Sequence, residues 1–147
     1  MSVVKNIKLV HPRDITLIRI GRFYYTYGKD AYILSYIFGY KLNKVQKENI
    51  YSCAFPENVY NKVISKLENM KINYINVDRR NNYEVDEKSD NKNLNKYDEI
   101  FEKAKQYIKL KLEIDNIYSY MLENINQKEF SKIIAKVEVV LIENREI

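Results

Sequence analysis

Gly21-Arg22-Phe23-Tyr24-Tyr25-Thr26-Tyr27-Gly28-Lys29-Asp30-Ala31 is the stretch on which the fold turns. Its aromatic run is β-prone, and Ile15-Thr16-Leu17-Ile18-Arg19-Ile20 precedes it, so residues 15–27 predict two strands folded back around Gly21. Asp30 stands where an N-cap is expected, ahead of Ala31, Leu34, Ile37 and Phe38. That three- and four-residue spacing marks one buried helix face, and Gly39 is its stop.

Working outward, Lys41 to Glu48 is polar and reads as a loop, Ile50 to Phe55 as a short strand, and Pro56 as the opening of a helix. Val59, Val63, Leu67 and Met70 form the stripe of that helix, and Ile72, Tyr74, Ile75 and Val77 a further strand. The succession β-β-α-β-α-β predicts an α+β domain, a mixed sheet flanked by helices, over residues 1–85. Residues 78–96 are rich in Asp, Asn, Lys and Glu, and 86–96 is read as a polar linker. From Tyr97 the period becomes helical, through Ile100, Phe101, Ala104, Ile108, Leu112, Tyr118, Met121 and Ile125. Asn126-Gln127 breaks it. Phe130, Ile133, Ile134, Val137, Leu141 and Ile142 mark a second helix, making residues 97–147 a C-terminal helical hairpin. Two such helices carry more apolar surface than they can bury against each other. They need another surface: the α/β domain, a second copy or a different protein.

Composition permits this architecture. Of 147 residues, 46% are hydrophobic and 31% charged, which suits one compact domain with a helical appendage. The single cysteine, Cys53, rules out an intramolecular disulfide and fits a reducing compartment. No run reaches the roughly 18 apolar residues of a membrane span, and Lys5 and Lys8 interrupt the apolar residues of the first ten. A cytoplasmic protein without membrane contact is expected. The net charge of +5 is uneven: residues 1–50 carry nine Lys/Arg against three Asp/Glu, and residues 97–147 carry eight against ten. A polyanion would be drawn to the N-terminal part only. The 14 tyrosines can pack in a core or stack on a nucleobase.

The quoted stretch resembles the motif G-x-F-Y-E-x-[FY]-x-x-D-A of the mismatch-recognition domain of MutS, matched at Gly21, Phe23, Tyr24, Tyr27, Asp30 and Ala31. Cys53-Ala54-Phe55-Pro56, followed by Tyr60, Val63, Leu67 and Tyr74-Ile75-Asn76-Val77, is similar to a second segment of that family, without the short Tyr-His insertion usual after its Pro. The resemblance covers roughly residues 10–80 and implies the fold of the MutS N-terminal domain. In the family the motif Phe wedges into the duplex and stacks on a mispaired base, and the Glu two residues on accepts a hydrogen bond from it. The resemblance therefore makes Phe23 the stacking residue and puts Tyr25 in the Glu position. A phenol there can donate, accept or stack, but it removes the carboxylate on which mismatch discrimination rests. Arg19, Arg22 and Lys29 surround the aromatics as candidate phosphate contacts, and Arg79 and Arg80 follow the last strand. The competing reading of these residues is ordinary strand packing with a solvated basic edge.

Catalytic chemistry finds no foothold. His11 and Cys53 are single residues without partner motifs, and no G-x-x-x-x-G-K-[ST] stretch occurs. Asp86, Glu87 and Asp90 have no ligand spacing and read as a solvated charge run. A non-enzyme without cofactor or metal is expected. A free-standing MutS-like domain with a helical hairpin resembles the short MutS-like accessory proteins encoded with reverse transcriptases of diversity-generating retroelements. That resemblance implies binding of RNA or DNA, docking to the reverse transcriptase or another protein through the C-terminal helices, and room for a homo-oligomer. The alternative is a protein-interaction adaptor that has lost nucleic-acid binding.

Overall fold

The computed structural model describes residues 2–89 and 94–145. The chain forms α1 (Ser2–Val10), the hairpin β1 (Ile15–Ile20) and β2 (Phe23–Tyr27), then α2 (Lys29–Phe38), β3 (Asn43–Val45) and β4 (Ile50–Pro56). It continues with α3 (Tyr60–Asn69), β5 (Tyr74–Asp78), β6 (Glu84–Lys88), α4 (Tyr97–Asn124) and α5 (Gln127–Arg145). Six strands make one sheet in the order β3-β4-β2-β1-β5-β6. Only β1 and β5 run parallel, so the sheet is mixed as expected.

Gly21 turns the β1–β2 hairpin with φ +64°, a conformation glycine adopts without a steric penalty. Gly39 ends α2 in the left-handed conformation, its N–H donating to the Ser35 carbonyl. Alternation then sorts the side chains. Ile15, Leu17, Tyr24, Cys53, Phe55 and Tyr74 point to the face covered by helices, where they meet Ile33, Leu34, Val63, Leu67 and Ile100 in one core. Tyr24 lies at its centre, stacked on Phe55 at 5.4 Å and on Tyr60 at 4.6 Å between ring centroids.

Several expectations are corrected. Asp30 does not cap α2: the N-cap is Gly28, without a side-chain hydrogen bond. The Asp30 carboxylate is buried and accepts from Thr16 N, Lys8 Nζ and the Tyr97 hydroxyl. Pro56 closes β4 rather than opening a helix, and a 3-10 turn (Glu57–Val59) intervenes before α3. The polar loop after α2 contains β3, because backbone pairing with β4 needs no apolar side chains. For the same reason the polar stretch after β5 yields β6, an exposed edge strand whose charged residues suit an edge. Asp90, and positions 91–93 of the expected linker, lie outside the described residues.

The largest difference is the domain boundary. The chain divides into compact units Met1–Ile108 and Lys109–Ile147, not at residues 85–96. Tyr97, Ile100, Ala104 and Ile108 are buried, so the first turns of α4 belong to the α/β unit. A polar stretch looks like a linker in sequence, yet the next helix returns to the core.

In the second unit Tyr118 of α4 meets Phe130 of α5 edge-on at 5.9 Å. Asn126 accepts from Glu129 N at 2.9 Å, and Glu129 Oε2 accepts from Asn126 N, a reciprocal cap that explains the break there. Leu110, Ile114, Ile117, Leu122, Leu141 and Ile142 are exposed in this unit, and α5 buries no residue.

Candidate nucleic-acid interface

The five residues of β2 divide between two faces. Tyr24 and Thr26 are buried on the helix side, whereas Phe23, Tyr25 and Tyr27 share the opposite face. Phe23 is 46% exposed, and Tyr25 and Tyr27 are half-buried. Alternation alone would put a Tyr or Phe on either side. The motif spacing puts the ring that remains in the open at Phe23, next to the hairpin tip.

The neighbours leave these rings room. On β4 the residues opposite Phe23, Tyr25 and Tyr27 are Pro56, Ala54 and Ser52, all small. On β1 the opposite residues are Ile20 for Phe23 and Ile18 for Tyr25. At the hairpin tip Arg22 is exposed, and its carbonyl accepts from Glu57 N at 2.9 Å, which ties the tip to the end of β4.

Arg79 follows β5 in a 3-10 turn, Arg79–Asn81, beyond the reach of strand alternation. Its charge nevertheless acts on Tyr27. The Tyr27 hydroxyl titrates above the ordinary tyrosine value because of its burial, with Tyr25 and Tyr83 raising it further and Arg79 pulling it down. Two more tyrosines and a guanidinium thus act on one phenol. Among the described residues Arg22 and Arg79 make no ion pair.

The remaining candidates go elsewhere. Arg19 is on the helix side, donating to Glu57 Oε2 at 2.7 Å, with its guanidinium 6.0 Å from the Tyr24 ring. Arg80 is held by Asp78, to which its backbone N–H donates at 2.8 Å and its guanidinium at 3.2 Å. That pairing lowers the Asp78 pKa and raises that of Arg80. Lys29 is at the far end of β2, its ammonium 5.0 Å from the Phe101 ring. Phe23, Tyr25, Arg22 and Arg79 are therefore the candidates gathered on or beside this face, which is exposed at Phe23 and Pro56 but closed over β1 and β5, where Ile18, Ile75 and Val77 are buried.

A model of the family "MutS domain I" matches residues 1–102. The chain belongs to the MutS domain I family. The match ends within the first turns of α4, so MutS domain I here includes the helix start that the motif resemblance did not reach. No curated protein matches the chain.

Sequence reading missed Tyr27 and Tyr83 as members of this surface. Tyr27 was legible in principle, being two residues from Tyr25 on one strand. Tyr83 was not. It is in the polar stretch, where Asn82 and Tyr83 both take left-handed backbone conformations, and only its effect on the Tyr27 hydroxyl brings it into this surface.

Proposed function

We propose that this MutS domain I protein is a non-enzymatic nucleic-acid-binding subunit. The observation that carries the reading is the contrast within the motif: Tyr24 is 5% exposed in the core while Phe23, one residue away, is 46% exposed beside Arg22. A ring kept in water at a hairpin tip, with cations nearby, suits stacking on a base and contact with phosphate. The basic excess of residues 1–50 points the same way.

Fluorescence anisotropy of a labelled, structured RNA or DNA tests it. Binding should weaken by about an order of magnitude or more between low and moderate salt, as for a protein contacting several phosphates. No binding to either at low salt overturns the reading and favours the adaptor.

The finer proposal is an accessory role to a retroelement reverse transcriptase. Its support is the order of parts, MutS domain I followed by two helices with exposed apolar residues, since such patches usually mark interfaces. Co-purification of a reverse transcriptase with the full chain, persisting after nuclease treatment, is the expected result. Its loss on nuclease treatment would leave nucleic acid as the only link.

A further inference from the structure

We propose that the β2–β4 part of this sheet face takes an unpaired, extended nucleic-acid strand, with Phe23, Tyr25 and Tyr27 as successive stacking positions. This rests on the nucleic-acid-binding reading above and names its substrate class. Three aromatic side chains at alternate positions of one antiparallel strand are about 7 Å apart. Stacked bases in one strand of a duplex are separated by about 3.4 Å. Successive bases can meet successive rings only where the strand is unstacked, which pairing forbids. A duplex could engage Phe23 at the tip but not the two rings behind it.

The flanks fit the same occupant. Pro56, Ala54 and Ser52 leave the β4 side of the stripe low. Arg22 stands at one end, and Arg79 acts on the Tyr27 hydroxyl from the β5 side. Beyond Tyr27 the stripe opens into a cleft of ≈ 560 Å³ walled by Val4, Leu9 and Ile50. An apolar recess suits one further base. Tyr25 in the Glu position follows the same logic, since a carboxylate would repel a backbone drawn across the sheet, and a phenol adds a stacking ring.

The test uses the full chain and two probes: a labelled 12-nucleotide thymidine oligomer, and a blunt mixed-sequence duplex of that length. The single strand should bind at least tenfold more tightly. Tyr25→Leu and Tyr27→Leu, which keep an apolar side chain but lose the ring, should each weaken single-strand binding about tenfold and leave duplex binding unchanged. Thermal melting of both variants shows whether they remain folded; if either unfolds, Phe23→Leu, at the most exposed of the three rings, replaces it. Equal or tighter duplex binding overturns the single-strand proposal and leaves the broader reading standing. Folded variants that bind the oligomer as wild type does also overturn it. Failure of both probes to bind at low salt would instead sink nucleic-acid binding altogether.

Discussion

The Tyr97 hydroxyl donates to Asp30 Oδ1 at 2.6 Å across 67 residues of sequence. Lys8 Nζ donates to the same oxygen at 2.9 Å, and Thr16 N to the other at 3.0 Å. One buried carboxylate thereby joins α1, β1, α2 and the start of α4. The acidic residue of the MutS motif is here a structural hub, and a helix far downstream completes it.

A fragment of residues 1–90 should therefore fail to fold, whereas residues 1–112 should melt cooperatively. The shorter one loses the side chains of Tyr97, Ile100 and Ile108, each contributing about 1.5–3 kcal/mol when buried. It also leaves Asp30 without one of its donors, at a further cost of about 1–3 kcal/mol. That total rivals the whole stability of a small domain, about 5–15 kcal/mol. Thermal melts by circular dichroism compare the two, and a cooperative transition in 1–90 would refute the hub.

Asp30 also gives a pH signature. Its burial raises the carboxyl pKa, against the lowering effects of Lys8, Tyr97 and Thr16. A raised folded-state value means the folded protein holds the proton more tightly. The contribution is fully present below the unfolded aspartate value near 3.8 and is lost as pH rises through the folded value. The stability of wild type minus that of Asp30→Asn should fall from about pH 4 upward in urea titrations. A difference that grows with pH would show that the Lys8 ion pair outweighs burial.

Cys53 should be inert in the folded protein. Burial pushes its thiol up to about 12, so almost no thiolate exists at pH 8. A chromogenic disulfide reagent should react only after denaturant is added. Prompt reaction without it would mean that β4 opens readily.

Two adjacent aromatics should respond oppositely to alanine. Tyr24→Ala removes a ring stacked on Phe55 and Tyr60 and should cost about 3–5 kcal/mol. Phe23→Ala should change stability by about 1 kcal/mol or less, given its exposure. Equal destabilisation in urea would return Phe23 to the core and remove it from the interface.

Mismatch selectivity should be absent. With Tyr25 in the Glu position, a duplex with one mismatch should bind less than tenfold better than its matched counterpart, a gap below about 1.4 kcal/mol. A larger preference in parallel titrations would mean another group supplies the discriminating hydrogen bond.

Residues 15–39 announced the hairpin, the helix after it and the helix stop, because apolar alternation, aromatic content and glycine placement are local properties that act over a few residues. The same motif named Phe23, and the α5 start at Asn126 was visible as a break. Local sequence determined these elements, but not α1, β3 or β6. It did not determine which charges stay in solvent: Arg79 and Arg80 are neighbours with identical side chains, yet Asp78 holds Arg80 while Arg79 acts on the Tyr27 hydroxyl. Nor did it show that a polar stretch would supply β6, since edge pairing uses backbone groups that every residue carries. The domain boundary had the same origin. Tyr97 looked like the first residue of a separate helix, and only the fold brought its hydroxyl to a buried carboxylate that required a donor.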